Sequence, residues 1–464
     1  MGPKESDDQI LHELAKEMDV ARFNFSHGTH ESHLEMLKRV RAAAADAGRP
    51  IAMLLDTKGP EIRTGLLMNH EAVMLEKDSK VTVSPLTEKN EEGSADHIYT
   101  TYEKLADDIS EGAVILVDDG TIELRADEIN GRDVMCTVVT GGMLGERKGV
   151  NLPGVSVGLP DLTERDYDDI AFGLRNGFDY IAASFVRNAA TIEKIRELIT
   201  KAGASAKIIA KIESGEGIDN LADIIKAADG IMVARGDLGV EVEAKMIPQL
   251  QREIIDMCNA NGKLVITATQ MLDSMIRNPR PTRAEVTDVA NAVYEGSDAV
   301  MLSGETASGD YPVEAVKMMA SIAEYAETFA VKGIKHKTNA ESISDITCRA
   351  AVISAKELGA KAIIAPTSSG TTALGVSKCH PGADIYAFSP DPAVVRQMML
   401  LWGVIPVLAE RAHSTDEMIE DCMEAMKKAG AAEEGDILVF TAGVVSGRRS
   451  SQRSETNSMR IVRV

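Results

Sequence analysis

Apolar residues along this chain fall into runs of strand length, separated by stretches in which they recur at three-to-four spacing. That texture predicts buried parallel strands alternating with amphipathic helices. The unit over 207–239 shows it most clearly. Ile208, Ile209 and Ala210 form one run, which ends in Lys211 and Glu213. Ile218, Leu221, Ile224 and Ile225 follow at helical spacing, and Ile231, Met232 and Val233 then run into Arg235, Gly236 and Asp237. Strand, helix and strand are predicted, with charged groups where each strand stops. In a parallel α/β barrel those strand ends form the reactive face. Carboxylates at two successive ends suit a divalent cation, with Lys211 alongside to offset charge on a substrate.

The same rhythm continues on both sides. A helix over 5–18 carries Ile10, Leu11, Leu14 and Met18 on one face, and strands over 20–25 and 51–55 flank a helix over 30–47. From 65 to about 157 the texture changes to short alternating segments (81–84, 114–117, 121–125, 134–139) with Gly and Asp-Asp-Gly turns between them. A small all-β domain inserted into the alternating one is predicted. The βα pattern then resumes, with helices over 163–176, 190–202, 244–261, 282–294 and 312–328 and strands over 179–183, 264–268 and 298–302. Seven barrel-type strands begin at Val20, Ile51, Asp179, Lys207, Gly230, Leu264 and Asp298, one short of the eight a closed barrel needs. After a Lys-rich link over 331–339, strands over 361–365, 384–389, 404–408, 436–442 and 459–464 alternate with helices over 343–358, 371–378, 393–401 and 415–428. That is a separate open α/β sheet. The expected division is barrel over 1–63 and 158–334, lid over 64–157, and a C-terminal α/β domain over 335–464.

Composition narrows the possible functions. A chain of 464 residues with 44% hydrophobic and 26% charged residues is expected to form two or three ordinary globular domains. The net charge of −22 argues against nucleic acid as a partner, so a phosphorylated substrate must be held by local positive charge or by metal. Cys136, Cys258, Cys348, Cys379 and Cys422 are scattered without a C-x-x-C pair, as reduced cytosolic thiols would be. No apolar run reaches a membrane-spanning length and none has the form of an export signal, so neither a membrane nor export is expected.

Each barrel strand ends in polar residues of a consistent type. Arg22, Asn24 and Ser26 alternate, and a period of two places all three on one side of their strand. Asp56 and Thr57 end the next, with Arg63 shortly after; Lys211 with Glu213, then Asp237, then Thr267, Thr269 and Gln270 end others. A hydrogen-bonded loop anchor would explain any single one. Five such ends together call for a ligand or metal, because burying so much charge unaided is costly.

These residues carry a resemblance to the pyruvate kinase family over nearly the whole chain. The matching runs lie at 21–28 (ARFNFSHG), 56–63 (DTKGPEIR), 148–154 (KGVNLPG) and 182–187 (AASFVR). Others lie at 211–214 (KIES), 234–239 (ARGDLG), 268–272 (ATQML) and 301–307 (MLSGETA). The resemblance implies an α/β fold: a (β/α)8-type TIM barrel with an inserted β lid and a C-terminal open α/β domain, in a cytoplasmic homotetramer. It implies phosphoryl transfer from phosphoenolpyruvate to ADP, giving pyruvate and ATP in glycolysis. By the same resemblance Glu213 and Asp237 hold Mg²⁺ or Mn²⁺, and Lys211 neutralises the moving phosphoryl group. Arg22 and Arg63 contact phosphate, and the backbone of Ala234, Arg235 and Gly236 takes the substrate carboxylate. Asn24, Ser26, Asp56 and Thr57 match K⁺ ligands, with Glu61 in the form of K⁺-dependent members. Thr269 lies where the enolate is protonated through water. Asn24, His27, Arg63 and Lys148 match the nucleotide side.

Bland roles stand beside these. Arg187 and Arg235 are equally expected as framework ion pairs, Ser184 and Gln270 as supports, and Lys58 as structural. In the C-terminal domain Thr367, Ser368, Ser369, Gly370, Thr371 and Thr372 follow a strand and open a helix, which suits a sugar-phosphate or nucleotide effector or a plain helix cap. Arg448, Arg449 and Arg453, in a segment over 446–453 that departs from the family's Gly-rich turn, are expected either as phosphate contacts there or as part of a mobile surface loop. The family also begins with a strand ahead of Gly-Pro that this sequence does not contain. A start further upstream is the expectation, because an open barrel exposes strand edges. Two other functions remain open at this point: a metal-dependent barrel lyase acting on pyruvate-like acids, and an inactive relative acting as a binding or regulatory subunit.

Overall fold

The structure is a computed structural model, and it describes residues 1–87, 91–330, 342–443 and 455–464. The predicted link over 331–339 and the segment with Arg448, Arg449 and Arg453 lie outside the described residues. All seven predicted barrel strands form: Val20–Asn24, Ala52–Asp56, Tyr180–Ala183, Lys207–Ile212, Gly230–Ala234, Leu264–Ala268 and Ala299–Val300. They run parallel and neighbour one another in that order. The register sets Asn24 opposite Asp56, so two predicted cation ligands meet across adjacent strands.

Among the described residues no strand joins the first to the seventh. The seventh is accordingly two residues long and half-buried, where the second, fifth and sixth are buried throughout. Met1 lies beside the first strand, its ammonium 2.5 Å from the Arg22 carbonyl, and Gly2 abuts Ala307 in the short helix after the seventh strand.

Period-two alternation decides which residues face where. Leu55, Ile181, Ile208, Val233 and Val265 pack outward against helical residues such as Leu37, Ile170, Ile195, Ile224 and Ile254. Their neighbours Leu54, Tyr180, Ile209, Met232 and Ile266 form a second cluster with Val394, Met398, Leu400 and Leu401 of the C-terminal domain. The barrel interior and the C-terminal domain therefore share one core.

The inserted segment forms a seven-stranded sheet in the order Ile62–Arg63, Gly149–Asn151, Val114–Val117, Ile122–Asn130, Asp133–Thr140, Lys80–Pro85, His97–Thr100. Val81, Ile98, Ile115, Leu124, Val134 and Val138 fill a core of its own. The C-terminal sheet has four parallel strands and a last one, Ser458–Arg463, antiparallel to Ile437–Ala442.

Several helices depart from their predicted extents. The helix over 5–18 begins as a 3₁₀ turn, Pro3–Ser6, and restarts as Asp8–Ala15 because the Asp7 carboxylate caps the Gln9 and Ile10 N–H groups. The helix after Glu213 breaks at Asn220 into Gly215–Asp219 and Leu221–Ala227. A helix the apolar pattern did not predict, Arg235–Glu241, starts directly at the end of the fifth strand.

Candidate active site

Four of the predicted strand-end residues meet in one buried cluster. The Lys211 ammonium donates to Asp56 Oδ1 at 3.0 Å, Glu213 Oε1 at 2.8 Å and Ser184 Oγ at 2.7 Å, which uses all three of its hydrogens. Burial alone would depress its proton affinity, but Asp56 and Glu213 outweigh that and hold it above the ordinary lysine value. Lys211 is therefore a fixed positive charge. Asp56, 1% exposed, also accepts from Arg22 Nε at 2.6 Å. Burial pushes its pKa up, and Arg22 and Lys211 more than reverse this to leave it below the usual carboxylate range. Arg22 gives only Nε to the protein, and its two terminal amino groups make no hydrogen bond to a described residue. Glu213 Oε2 accepts the Phe185 N–H at 2.6 Å, which the left-handed φ of +53° at Phe185 aims inward. Burial, with a contribution from the Asp237 charge, pushes Glu213 up.

The fifth and sixth strand ends form a second cluster. Thr269 and Gln270 take φ of +66° and +54°, a conformation strained by a Cβ and most by the β-branched side chain of Thr269. Arg235 holds this turn through Nε to the Ala268 carbonyl at 3.1 Å and Nη2 to the Thr269 carbonyl at 2.6 Å. Its Nη1 reaches Asp288 at 2.7 Å and Gln251 at 3.3 Å. Every guanidinium arm is thus committed to protein, and of the two roles expected for Arg235 the framework one describes its side chain. Thr269 Oγ1 donates to the Ala268 carbonyl at 2.6 Å and accepts the Gly236 N–H at 2.8 Å. Asp237, in the first turn of Arg235–Glu241, makes no hydrogen bond or ion pair to a described residue.

Asp237 faces a cleft of about 490 Å³ between barrel and lid, lined also by Glu61, Arg63, Asp118, Asp119, Lys148 and Glu241. Arg63 is oriented by Glu61 at 2.6 Å, and Lys148 by Asp118 at 2.9 Å. Burial, Asp237 and Asp118 together raise Asp119. Asn151 of the lid hinge donates to Glu241 at 2.7 Å, so the lid bonds to the helix that carries Asp237. Arg187 clamps the carbonyls of Val157, Leu159 and Pro160 at the other side of the hinge, which is a framework role.

The oxygen donors fit the cations the sequence implies. Glu213 and Asp237 are only two carboxylates, and among the described residues no group of three or more His, Cys, Asp or Glu is placed to hold a metal. Two hard oxygens fit Mg²⁺, which fills its remaining positions with substrate oxygens and water. A divalent charge would also offset the burial and the Asp237 repulsion that together raise Glu213. Asn24 and Asp56 face each other across adjacent strands, Ser26 and Thr57 follow them along the chain, and each of the four has an oxygen donor of the kind K⁺ takes.

The effector candidates lie apart, on the C-terminal domain. Thr367 Oγ1 accepts the Gly370 N–H at 3.0 Å, Ser369 and Thr371 bond to each other, and Thr372 is buried against Thr456. Gly370, at φ +82°, precedes the helix Thr371–Ser377 without a side-chain cap. Ser368 falls in the same loop. The apolar pattern gave no sign of Phe185, Asp288, Asn151 or Glu241: a positive φ and a bond across a hinge leave no periodic trace. The Asp118-Asp119-Gly120 run was legible only as a turn.

The family described as "Pyruvate kinase, barrel domain" matches residues 1–316, and "Pyruvate kinase, alpha/beta domain" matches residues 345–462. The pyruvate kinase of Geobacillus stearothermophilus is 47% identical over 99% of this chain and 78% of its own length. That of Staphylococcus saprophyticus is 46% identical over 99% of this chain and 79% of its own. A crystal structure of a pyruvate kinase from Cryptosporidium parvum superimposes with a TM-score of 0.91 at 38% identity, covering 100% of this chain and 94% of that one.

Proposed function

The chain belongs to the pyruvate kinase family, and from that premise we propose how its own residues move the phosphoryl group of phosphoenolpyruvate to ADP, giving pyruvate and ATP. The observation that carries the proposal is the convergence of Arg22, Asp56, Lys211 and Glu213 beside the cleft that Asp237 faces. Arg22 binds phosphate through the two terminal amino groups it leaves unused, while Asp56 fixes its angle. Lys211 exchanges one of its three partners for a phosphoryl oxygen and, held protonated, keeps its charge as negative charge spreads in the transition state. The substrate carboxylate takes the backbone of Ala234, Arg235 and Gly236, with the Gly236 N–H released by Thr269. A hydroxyl is a poor acid at neutral pH, so Thr269 orients a water through which a proton from bulk solvent is relayed to the enolate carbon.

Asn24, His27, Arg63 and Lys148 receive the nucleotide, the last arriving from the lid. Glu213 and Asp237 would hold Mg²⁺ or Mn²⁺, and Asn24, Ser26, Asp56 and Thr57 would hold K⁺; when bound, these cations neutralise charge on substrate oxygens. We further take 64–157 as a lid on the barrel of 1–63 and 158–334, and 335–464 as the domain where loop 367–372 accepts a phosphorylated effector. A cytoplasmic homotetramer completes the proposal.

Pyruvate formation, followed as NADH oxidation through lactate dehydrogenase, tests it directly. Turnover that requires ADP and a divalent cation, and that rises with K⁺, is expected. Pyruvate released from phosphoenolpyruvate without any nucleotide would assign a lyase instead.

A further inference from the structure

The turn after the first barrel strand carries Asn24, Ser26 and His27, and it is tied down from two helices behind it. His33, in the helix His30–Ala47, lies flat on the Phe25 ring with centroids 4.1 Å apart and planes 15° from parallel. Its Nε2 meets the His27 carbonyl at 2.8 Å. Arg165, in the helix Glu164–Arg175, donates Nη2 to the Phe25 carbonyl at 2.6 Å. Arg165 is itself steadied by Asp169, 3.6 Å from its Nε, and Asp169 also meets His30 Nε2 at 2.6 Å. The carbonyls on either side of Ser26 are therefore each held by a side chain. Inside the turn, Asn24 Oδ1 takes the Ser26 N–H at 3.0 Å. The Ser26 hydroxyl and the His27 ring make no hydrogen bond to a described residue, so the backbone is fixed while both side chains stay uncommitted.

We propose that His33 and Arg165 are positioning residues for nucleotide binding: they hold the 24–28 turn so that His27 meets the diphosphate without first being ordered. This rests on the assignment of His27 to the nucleotide side. A contact made by a preordered loop avoids the entropy of fixing that loop on binding, so loosening the turn weakens ADP binding and, with K⁺ saturating its own ligands on the turn, leaves the chemical step alone. Because a carbonyl can only accept, the His33 hydrogen that meets His27 sits on Nε2, and burial, the largest influence on this ring, lowers its proton affinity and so favours the neutral form.

Three His33 variants separate positioning from packing. His33→Phe keeps the ring stacked on Phe25 and removes the donor, so it is expected to raise the KM for ADP about 5- to 10-fold, the size of one lost hydrogen bond. At saturating K⁺ the KM for phosphoenolpyruvate and kcat are expected to hold. His33→Gln, whose amide can still donate, is expected to recover most of the ADP affinity, whereas His33→Ala loses both donor and stack. Arg165→Met is expected to move ADP affinity in the same direction, with Arg165→Lys partly restoring it. A His33→Phe enzyme with wild-type KM for ADP, or one in which the affinities for ADP and phosphoenolpyruvate, kcat and Tm all fall together at saturating K⁺, overturns the proposal. His27→Ala is the control for the underlying assignment: an unchanged KM for ADP there removes His27 from the nucleotide side and the proposal with it.

Discussion

Lys211 donates to two carboxylates and a hydroxyl from three different strand ends, and this one ammonium fixes the charge pattern of the site. Lys211→Met is expected to lower kcat by roughly 10²–10³, the effect of removing one group that meets developing charge. It also leaves Asp56 and Glu213 facing each other without their shared cation, so Tm should fall as well. Full turnover in a folded Lys211→Met enzyme would remove the phosphoryl-neutralising role. Glu213→Gln keeps the size and the Phe185 contact while removing a charge from the pair, Glu213 and Asp237, proposed to hold the divalent cation. Titration with Mn²⁺ is expected to raise the Tm of the wild type and to do so far less in Glu213→Gln; equal shifts would place the cation elsewhere. Lys211, Glu213, Asp56 and Arg22 were legible in the sequence because polar groups ending apolar runs have few other reasons to be buried. The backbone twist at Phe185 and Thr269 was not, since a positive φ at a non-glycine residue follows from the tertiary setting and leaves no compositional mark.

At the scale of elements, the seven barrel strands were legible because each is a short apolar run between polar ends. The helix Arg235–Glu241 was hidden, since two glycines and three charges in seven residues leave no apolar stripe to read. Its position matters: it sets Asp237 into the cleft at one end and offers Glu241 to the lid at the other. Asn151 to Glu241 is a side-chain bond across the hinge, and burial raises the Glu241 pKa with Asn151 opposing the shift. Removing it by Asn151→Ala is expected to free the lid by about 1 kcal/mol. Hydrogen exchange should then accelerate along Gly149–Asn151 and Ile62–Arg63, the strands where the lid leaves the barrel, while the barrel strands keep their protection. Unaltered exchange in those two strands would show that the Arg187 clamp alone sets the lid's position.

Across the whole molecule, the barrel interior and the C-terminal domain fold as one packed unit at the face opposite the site. Tyr180 donates its hydroxyl to the Gln397 carbonyl at 2.5 Å, Arg396 pairs with Asp179 at 3.0 Å, and Lys378 meets Asp298 at 2.5 Å. The last pair has side chains 4% and 0% exposed, and Asp298 also accepts the Val265 N–H at 2.8 Å. Nothing in the sequence distinguished Lys378 from a surface lysine, because its partner lies 80 residues away on a strand counted for another domain. A buried pair of this kind contributes little compared with an apolar one, but breaking it leaves a lone charge in the core. Lys378→Met is therefore expected to destabilise the chain by about 3–5 kcal/mol, read as a lower midpoint in urea. Lys378→Met with Asp298→Asn removes both charges, and the amide can still accept from Val265 N–H, so the double variant should recover a large part of that loss. Equal losses in the single and double variants would mean that Asp298 is no stranded charge in the single variant.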